Sequence, residues 1–163
     1  MPELHMSDEK KVVSPKNTLN DLTSTEWVQE TKSWFRQKGL GANHEHAKIE
    51  REHPAPYSFQ DIGKLIRFFT KKGENVFDPF CGVGSTNKAA ALNGRNSTGI
   101  DLSERWIELC HKRMELEVDE ESDDFTTEFI CGDSSQEIKK LINEKESFQF
   151  IVTSPPYWSI LNK

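Results

Sequence analysis

Through the first 22 positions, MPELHMSDEKKVVSPKNTLNDL, apolar residues follow no period, which predicts a flexible leader rather than a folded element over residues 1–22. At Thr23 the pattern changes. Thr23 and Glu26 have capping-box spacing, and Trp27, Thr31, Trp34 and Phe35 follow at helical intervals, predicting a short helix to about Gln37. The segment KGLGANHEHAKIEREHPAPYS then mixes glycines, prolines and histidines without a period of 2 or 3.6, and reads as a loop. Beyond it Ser58 is an N-cap residue type, and Ile62, Leu65, Ile66 and Phe69 share one face of a helix that the turn at Gly73 ends.

From there short apolar runs alternate with helical patterns. Strands are predicted at Asn75 to Asp78, Ser97 to Asp101, Phe125 to Cys131 and Phe148 to Thr153. Helices are predicted at Thr86 to Asn93, Ser103 to Glu117 and Ser135 to Asn143, and the acidic run Asp119 to Asp124 reads as a solvated loop. Strands alternating with helices imply a parallel sheet covered on both faces, with ligands bound at the carboxyl ends of its strands. The chain from residue 23 to 163 is then one domain, as suits a length of 163 residues.

Composition narrows the class without choosing a function. Hydrophobic residues at 34% and charged residues at 29% suit a soluble globular protein. No run reaches the roughly 18 apolar residues of a membrane span, and the amino terminus lacks the apolar core of a secretory signal, so no membrane role and a cytoplasmic location are expected. Cys81, Cys110 and Cys131 have no metal-type spacing and are expected as reduced thiols, with no metal. A net charge of −6 means that any nucleic-acid contact comes from a local patch or a partner. Arg36, Lys38, Lys48 and Arg51 are the basic residues of the long loop; they read first as a solvated surface and second as phosphate contacts, while His44 and His46 read as loop surface.

The chemistry concentrates in VFDPFCGVGST, Val76 to Thr86, where a strand ends in an acid and passes through Gly82 and Gly84 into a helix. Two glycines allow a tight turn and close approach of a ligand to backbone. A phosphate-binding Walker loop requires lysine where Gly84 stands, and a dinucleotide fingerprint requires a third small residue where Asn87 stands. Asp101 ends the second strand about one βα unit later, placed to accept ribose hydroxyls, and Asp133 follows the third strand in a turn that equally suits helix capping. The fourth strand runs into SPPYW, where two prolines fix φ, remove N–H donors and leave a stiff loop.

These strings resemble the DNA amino-methyltransferases of the N4-cytosine and N6-adenine type, amino-terminal half. DPFCGVGST is similar to their motif I, and TSPPY to their motif IV. The resemblance implies an α/β, Rossmann-like S-adenosylmethionine-dependent methyltransferase fold, here partial, with the first four parallel strands and flanking helices. It implies S-adenosyl-L-methionine as cofactor, with Asp78, Pro79, Phe80, Gly82, Gly84, Asp101 and Asp133 forming the pocket. HPAPYS resembles motif X, which adds His53 and Pro54, although Pro56 or Tyr57 occupies the region where a lysine-proline pair is usual in the family.

In the same family Ser154, Pro155, Pro156 and Tyr157 hold the amine of a flipped base in double-stranded DNA, and serine at the first position is typical of cytosine N4 enzymes. Adenine N6, a non-catalytic cofactor-binding subunit of a restriction-modification complex, a nicotinamide-dependent oxidoreductase and an RNA or small-molecule methyltransferase are the alternatives. The chain ends six residues after Tyr157, before the family's remaining strands and target-recognition region. A second polypeptide supplying them, or a truncated frame, is therefore expected, with weak or no methylation by this chain alone.

Overall fold

The runs Asn75–Asp78 and Asn96–Asp101 form strands because both of their faces find partners. The computed structural model describes residues 12–31, 44, 47–54, 56–118 and 125–155. Within them the order is α1 (Ser24–Glu30), α2 (Ala47–Glu50), α3 (Phe59–Phe69), β1 (Asn75–Asp78), α4 (Ser85–Ala91), β2 (Asn96–Asp101), α5 (Glu104–Glu117), β3 (Thr127–Cys131), α6 (Ser134–Asn143) and β4 (Phe150–Ile151). The strands pair in parallel in the order β3-β2-β1-β4. After β1 the chain adds β2 and β3 on one side and β4 on the other, so the crevice of this α/β sheet opens between the carboxyl ends of β1 and β4.

Successive strand residues face opposite sides, and the core divides accordingly. Val76 packs with Phe59 and Ile66 of α3 and with Ala89 and Ala90 of α4. Its neighbour Phe77 packs with Ile100 and with Leu141 of α6. Helix α5 contributes Ile107 and Cys110 to a third cluster with Cys81 and Phe129. Helices thus cover both faces of a parallel sheet, the Rossmann-like arrangement of the sequence reading.

Helix α4 lies close to β2 through an unusual pair. A Cβ on Gly99 would fall 2.8 Å from Asn87 Oδ1. The dinucleotide folds set a small residue on the helix for this approach; here the small residue is on the strand, and Asn87 fits against it.

The boundaries differ from the pattern in several places. Helix α1 carries the expected capping box and ends at Thr31, whose hydroxyl bonds the carbonyls of Trp27 and Val28 at 3.1 Å each; Trp34, Phe35 and Gln37 lie outside the described residues. Ser58 stands at the N-cap of α3 without a side-chain capping bond. Strand β4 is only two residues long, because its partner on this side, β1, has four residues and register with β4 at Val76 and Phe77 alone.

The segment expected to be wholly loop contains α2. One turn cannot stand on its own propensity, and this one is held by burial of Ala47, Ile49 and Glu50, a tertiary effect that a search for periodicity does not detect. The stretch before residue 23 is also tied to the body: Asn20 is fully buried and donates to the Phe68 carbonyl at 2.6 Å, and Asp21 accepts from the Lys72 N–H at 2.8 Å. Among the described residues no helix is long and apolar enough to cross a membrane.

Candidate functional site at the carboxyl ends of the strands

Asp78 ends β1 with no exposed surface, and both its oxygens are occupied. Oδ1 accepts from the Phe80 N–H at 3.1 Å, closing a turn over Pro79. Oδ2 accepts from the Tyr57 hydroxyl at 2.6 Å and the Thr86 hydroxyl at 2.5 Å. Burial pushes the Asp78 carboxyl up; Thr86, Tyr57, Thr153 and the Phe80 amide pull it back, although the Thr153 hydroxyl falls outside hydrogen-bonding geometry. Burial and the Asp78 charge hold the Tyr57 phenol well above its ordinary range, so Tyr57 is a donor here. Asp78 thus shapes the turn from inside.

The glycines are required by conformation and by space. Gly82 has φ +52° and Gly84 φ +72°, in the left-handed region that a side chain disfavours. A Cβ on Gly82 would stand 3.0 Å from His53 Nε2, and one on Gly84 3.0 Å from Cys110 Sγ. The Cys110 thiol donates to the Gly82 carbonyl at 3.1 Å. The neighbouring Cys110 and burial push the Cys81 thiol far up, so Cys81 packs rather than reacts.

Asp101, half-buried at the end of β2, accepts from the Gly82 N–H at 3.0 Å and from the Ser103 N–H at 2.9 Å. Each carboxylate oxygen keeps a second lone pair for a ligand hydroxyl. Asp133 is exposed and caps α6 by accepting from the Ser135 N–H at 2.8 Å; the Ser135 side chain first, and then that N–H, hold its carboxyl below the usual range. The next residue, Ser134, donates from its hydroxyl to the Pro79 carbonyl, tying the third turn to the first.

Two apolar side chains flank these acids in the open: Phe80 at 40% and Leu102 at 75% exposure. The sequence reading did not single out Leu102; an apolar residue directly after a strand-ending acid was the available signal. His53 lies between the Gly82 turn and Trp106, its ring edge-on to the indole at 5.1 Å, while Pro54 is exposed. On the other side of β1, the Val152 N–H donates to the Phe77 carbonyl at 3.1 Å. Thr153 and Ser154 therefore emerge beside Asp78, with Ser154 half-buried and Pro155 exposed. Pro156 and Tyr157 lie outside the described residues. Of the loop cations, Lys48 and Arg51 are exposed, as is His44; Arg36, Lys38 and His46 lie outside the described residues.

Beneath the glycine turn runs a buried ion network that sequence reasoning missed. Arg113 of α5 bonds Glu50 at 2.8 Å, Glu117 at 3.0 Å, the Val83 carbonyl at 3.1 Å and the Ser85 hydroxyl at 3.0 Å. Lys88 bonds Glu117 at 2.5 Å and sits over the Phe59 ring. Burial draws the Lys88 ammonium below its ordinary value, and Glu117 draws it back.

A parallel sheet that reverses order beside a glycine turn, with acids after its first three strands, defines a Rossmann-like pocket of the S-adenosylmethionine-dependent methyltransferase class. The chain belongs to the DNA methylase family, which it matches over residues 3–112. It also matches the RNA cap guanine-N2 methyltransferases over residues 73–159.

Among curated proteins it is 33% identical over 118 residues to the type II methyltransferase M.MjaI of Methanocaldococcus jannaschii, covering 71% of this chain and 38% of that protein. A second relative from that organism, named as the ribosomal RNA large subunit methyltransferase MJ1649, is 33% identical over 88 residues, covering 54% of this chain and 22% of that protein. The chain therefore spans well under half the length of both. A solved structure, the SAM-dependent methyltransferase from Agrobacterium tumefaciens, shares the fold with a TM-score of 0.50 at 18% identity, covering 60% of this chain and 30% of that one.

The residues present fit the family's cofactor, S-adenosyl-L-methionine. The glycine turn leaves no room for a Cβ, Asp101 has acceptor capacity to spare at the strand end, and Phe80 and Leu102 offer open apolar surface beside it.

Proposed function

We propose that this chain carries the cofactor-binding and amine-holding parts of a methyltransferase that acts on the exocyclic amine of a DNA base, cytosine N4 in the first instance. One observation carries the reading: β4 pairs with β1 at Val76 and Phe77, so the Ser154 loop leaves the sheet next to the glycine turn. When bound, S-adenosyl-L-methionine supplies a methyl group on a sulfonium centre. Asp101 would hold its ribose, Phe80 and Leu102 its flat apolar surfaces, Asp133 its adenine amine, and His53 with Pro54 would close the far side.

An exocyclic amine is a poor nucleophile because its lone pair is shared with the ring. Ser154 and the proline-region carbonyls accept its hydrogens and favour the tetrahedral form. Tyr157 stacks on the base, which leaves the duplex to reach the site. Serine rather than aspartate at 154 supports cytosine N4 over adenine N6. A second polypeptide would supply the remaining strands and the target-recognition region.

The similarity to guanine-N2 methyltransferases over residues 73–159 favours a second reading with the same chemistry, an exocyclic amine of an RNA base. The assay is methyl transfer by the chain together with the polypeptide that completes it, on duplex DNA and on RNA, with the methylated nucleoside identified by mass spectrometry. N4-methylcytosine from DNA is expected. Ser154→Ala should cut the rate by roughly a hundredfold, the size associated with losing one positioned polar group, and Tyr157→Ala should weaken capture of the base. If both variants methylate at the rate of the parent, the chain serves as a non-catalytic subunit.

A further inference from the structure

We infer that Tyr57 is a positioning residue for the cofactor: its hydroxyl, with that of Thr86, fixes the Asp78 carboxylate so that the turn through Phe80 to Gly82 is held in its ligand-receiving shape. The inference rests on the proposed binding of S-adenosyl-L-methionine. It starts from a departure in the resemblance to motif X, where Pro56 or Tyr57 occupies the region in which a lysine-proline pair is usual.

The structure gives that departure a partner. Tyr57 precedes α3, Thr86 lies on α4 and Asp78 ends β1, so three separate elements meet at one carboxylate oxygen. The other oxygen of Asp78 holds the Phe80 N–H. A carboxylate whose Oδ2 is pinned by two hydroxyls cannot rotate without giving up the Phe80 bond. The backbone of Phe80 is thereby fixed, and two residues later the Gly82 N–H reaches Asp101.

Tyr57 also shares its short segment with His53, which rests against the Gly82 turn. His53 thus rests above Gly82 and Tyr57 bonds Asp78, so the two meet the turn from both of its ends. A lysine could offer the carboxylate a point charge; the tyrosine hydroxyl offers a directed bond from a ring whose position packing defines.

The test is calorimetric titration of the purified chain with S-adenosyl-L-methionine, alongside the melting temperature of the ligand-free protein. Tyr57→Phe keeps the ring and removes the hydroxyl. It should weaken binding roughly tenfold, as loss of one hydrogen bond to a charged group does. Thr86→Val should do the same, whereas Thr86→Ser, which keeps the hydroxyl, should restore the parent affinity.

Because both hydroxyls act through one carboxylate, the double variant Tyr57→Phe/Thr86→Val should lose less than the product of the two single losses. A purely structural role predicts instead that melting falls while the affinity of the folded protein stays at the parent value, and that result overturns the inference. Parent-like affinity in Tyr57→Phe overturns it as well. Failure of the parent chain to bind S-adenosyl-L-methionine defeats the underlying reading first, and is told apart by that measurement alone.

Discussion

Replacing Glu117 by alanine is expected to lower the unfolding free energy by about 3–5 kcal/mol, the cost of removing one member of a buried ion network. The physical reason is the company that Glu117 keeps. One of its oxygens receives both Lys88, with no exposed surface, and Arg113, with 1%. Alanine removes the carboxylate that Lys88 and Arg113 share, while Arg113 keeps Glu50, the Val83 carbonyl and the Ser85 hydroxyl. Glu117→Gln retains an acceptor and should cost less than alanine. Urea denaturation followed by tryptophan fluorescence measures both; a loss under 1 kcal/mol for alanine would show that water or rearrangement takes over the role of the carboxylate.

Gly84→Ala is expected to abolish cofactor binding while leaving a folded protein. The left-handed backbone at φ +72° costs a side chain roughly 1–2 kcal/mol, and the new methyl group meets Cys110 Sγ at 3.0 Å. The two costs can be separated. In Gly84→Ala/Cys110→Ala the steric part is relieved and the conformational part remains, so stability should recover in part and binding should stay impaired. Full recovery of binding in the double variant would show that crowding alone, and not backbone shape, requires glycine here.

The sheet was legible because short strand-like runs, two of them ending in an acid at Asp78 and Asp101, alternate with helical patterns, and that alternation implies a parallel sheet. The glycine turn was legible for a related reason, since Gly82 and Gly84 answer to a local backbone demand. What sequence pattern could not supply were interactions between residues far apart in the chain. Tyr57 read as a departure from a motif, and its bond to Asp78 spans 21 positions. Arg113, Lys88, Glu50 and Glu117 drew no reading at all, because nothing in a helical period announces that a buried surface will be ionic. Asp133 carried two readings, and its bond to the Ser135 N–H is the capping one.

The bond between Glu50 and Arg113 joins residues 63 positions apart, and it bears on the order in which the protein matures during synthesis. At about 5–20 residues per second, the ribosome adds Arg113 roughly 3–13 s after Glu50. Until then the single turn of α2 has no ionic partner in α5 and too little length to persist. Protease pulses on ribosome-held chains should therefore cut residues 47–54 freely when the nascent chain stops before Arg113 has left the exit tunnel, and slowly once α5 has emerged. The segment beside the glycine turn is thus made early and seated late, and the turn itself waits for Asp101 and Cys110, which hold Gly82 from the chain's later half.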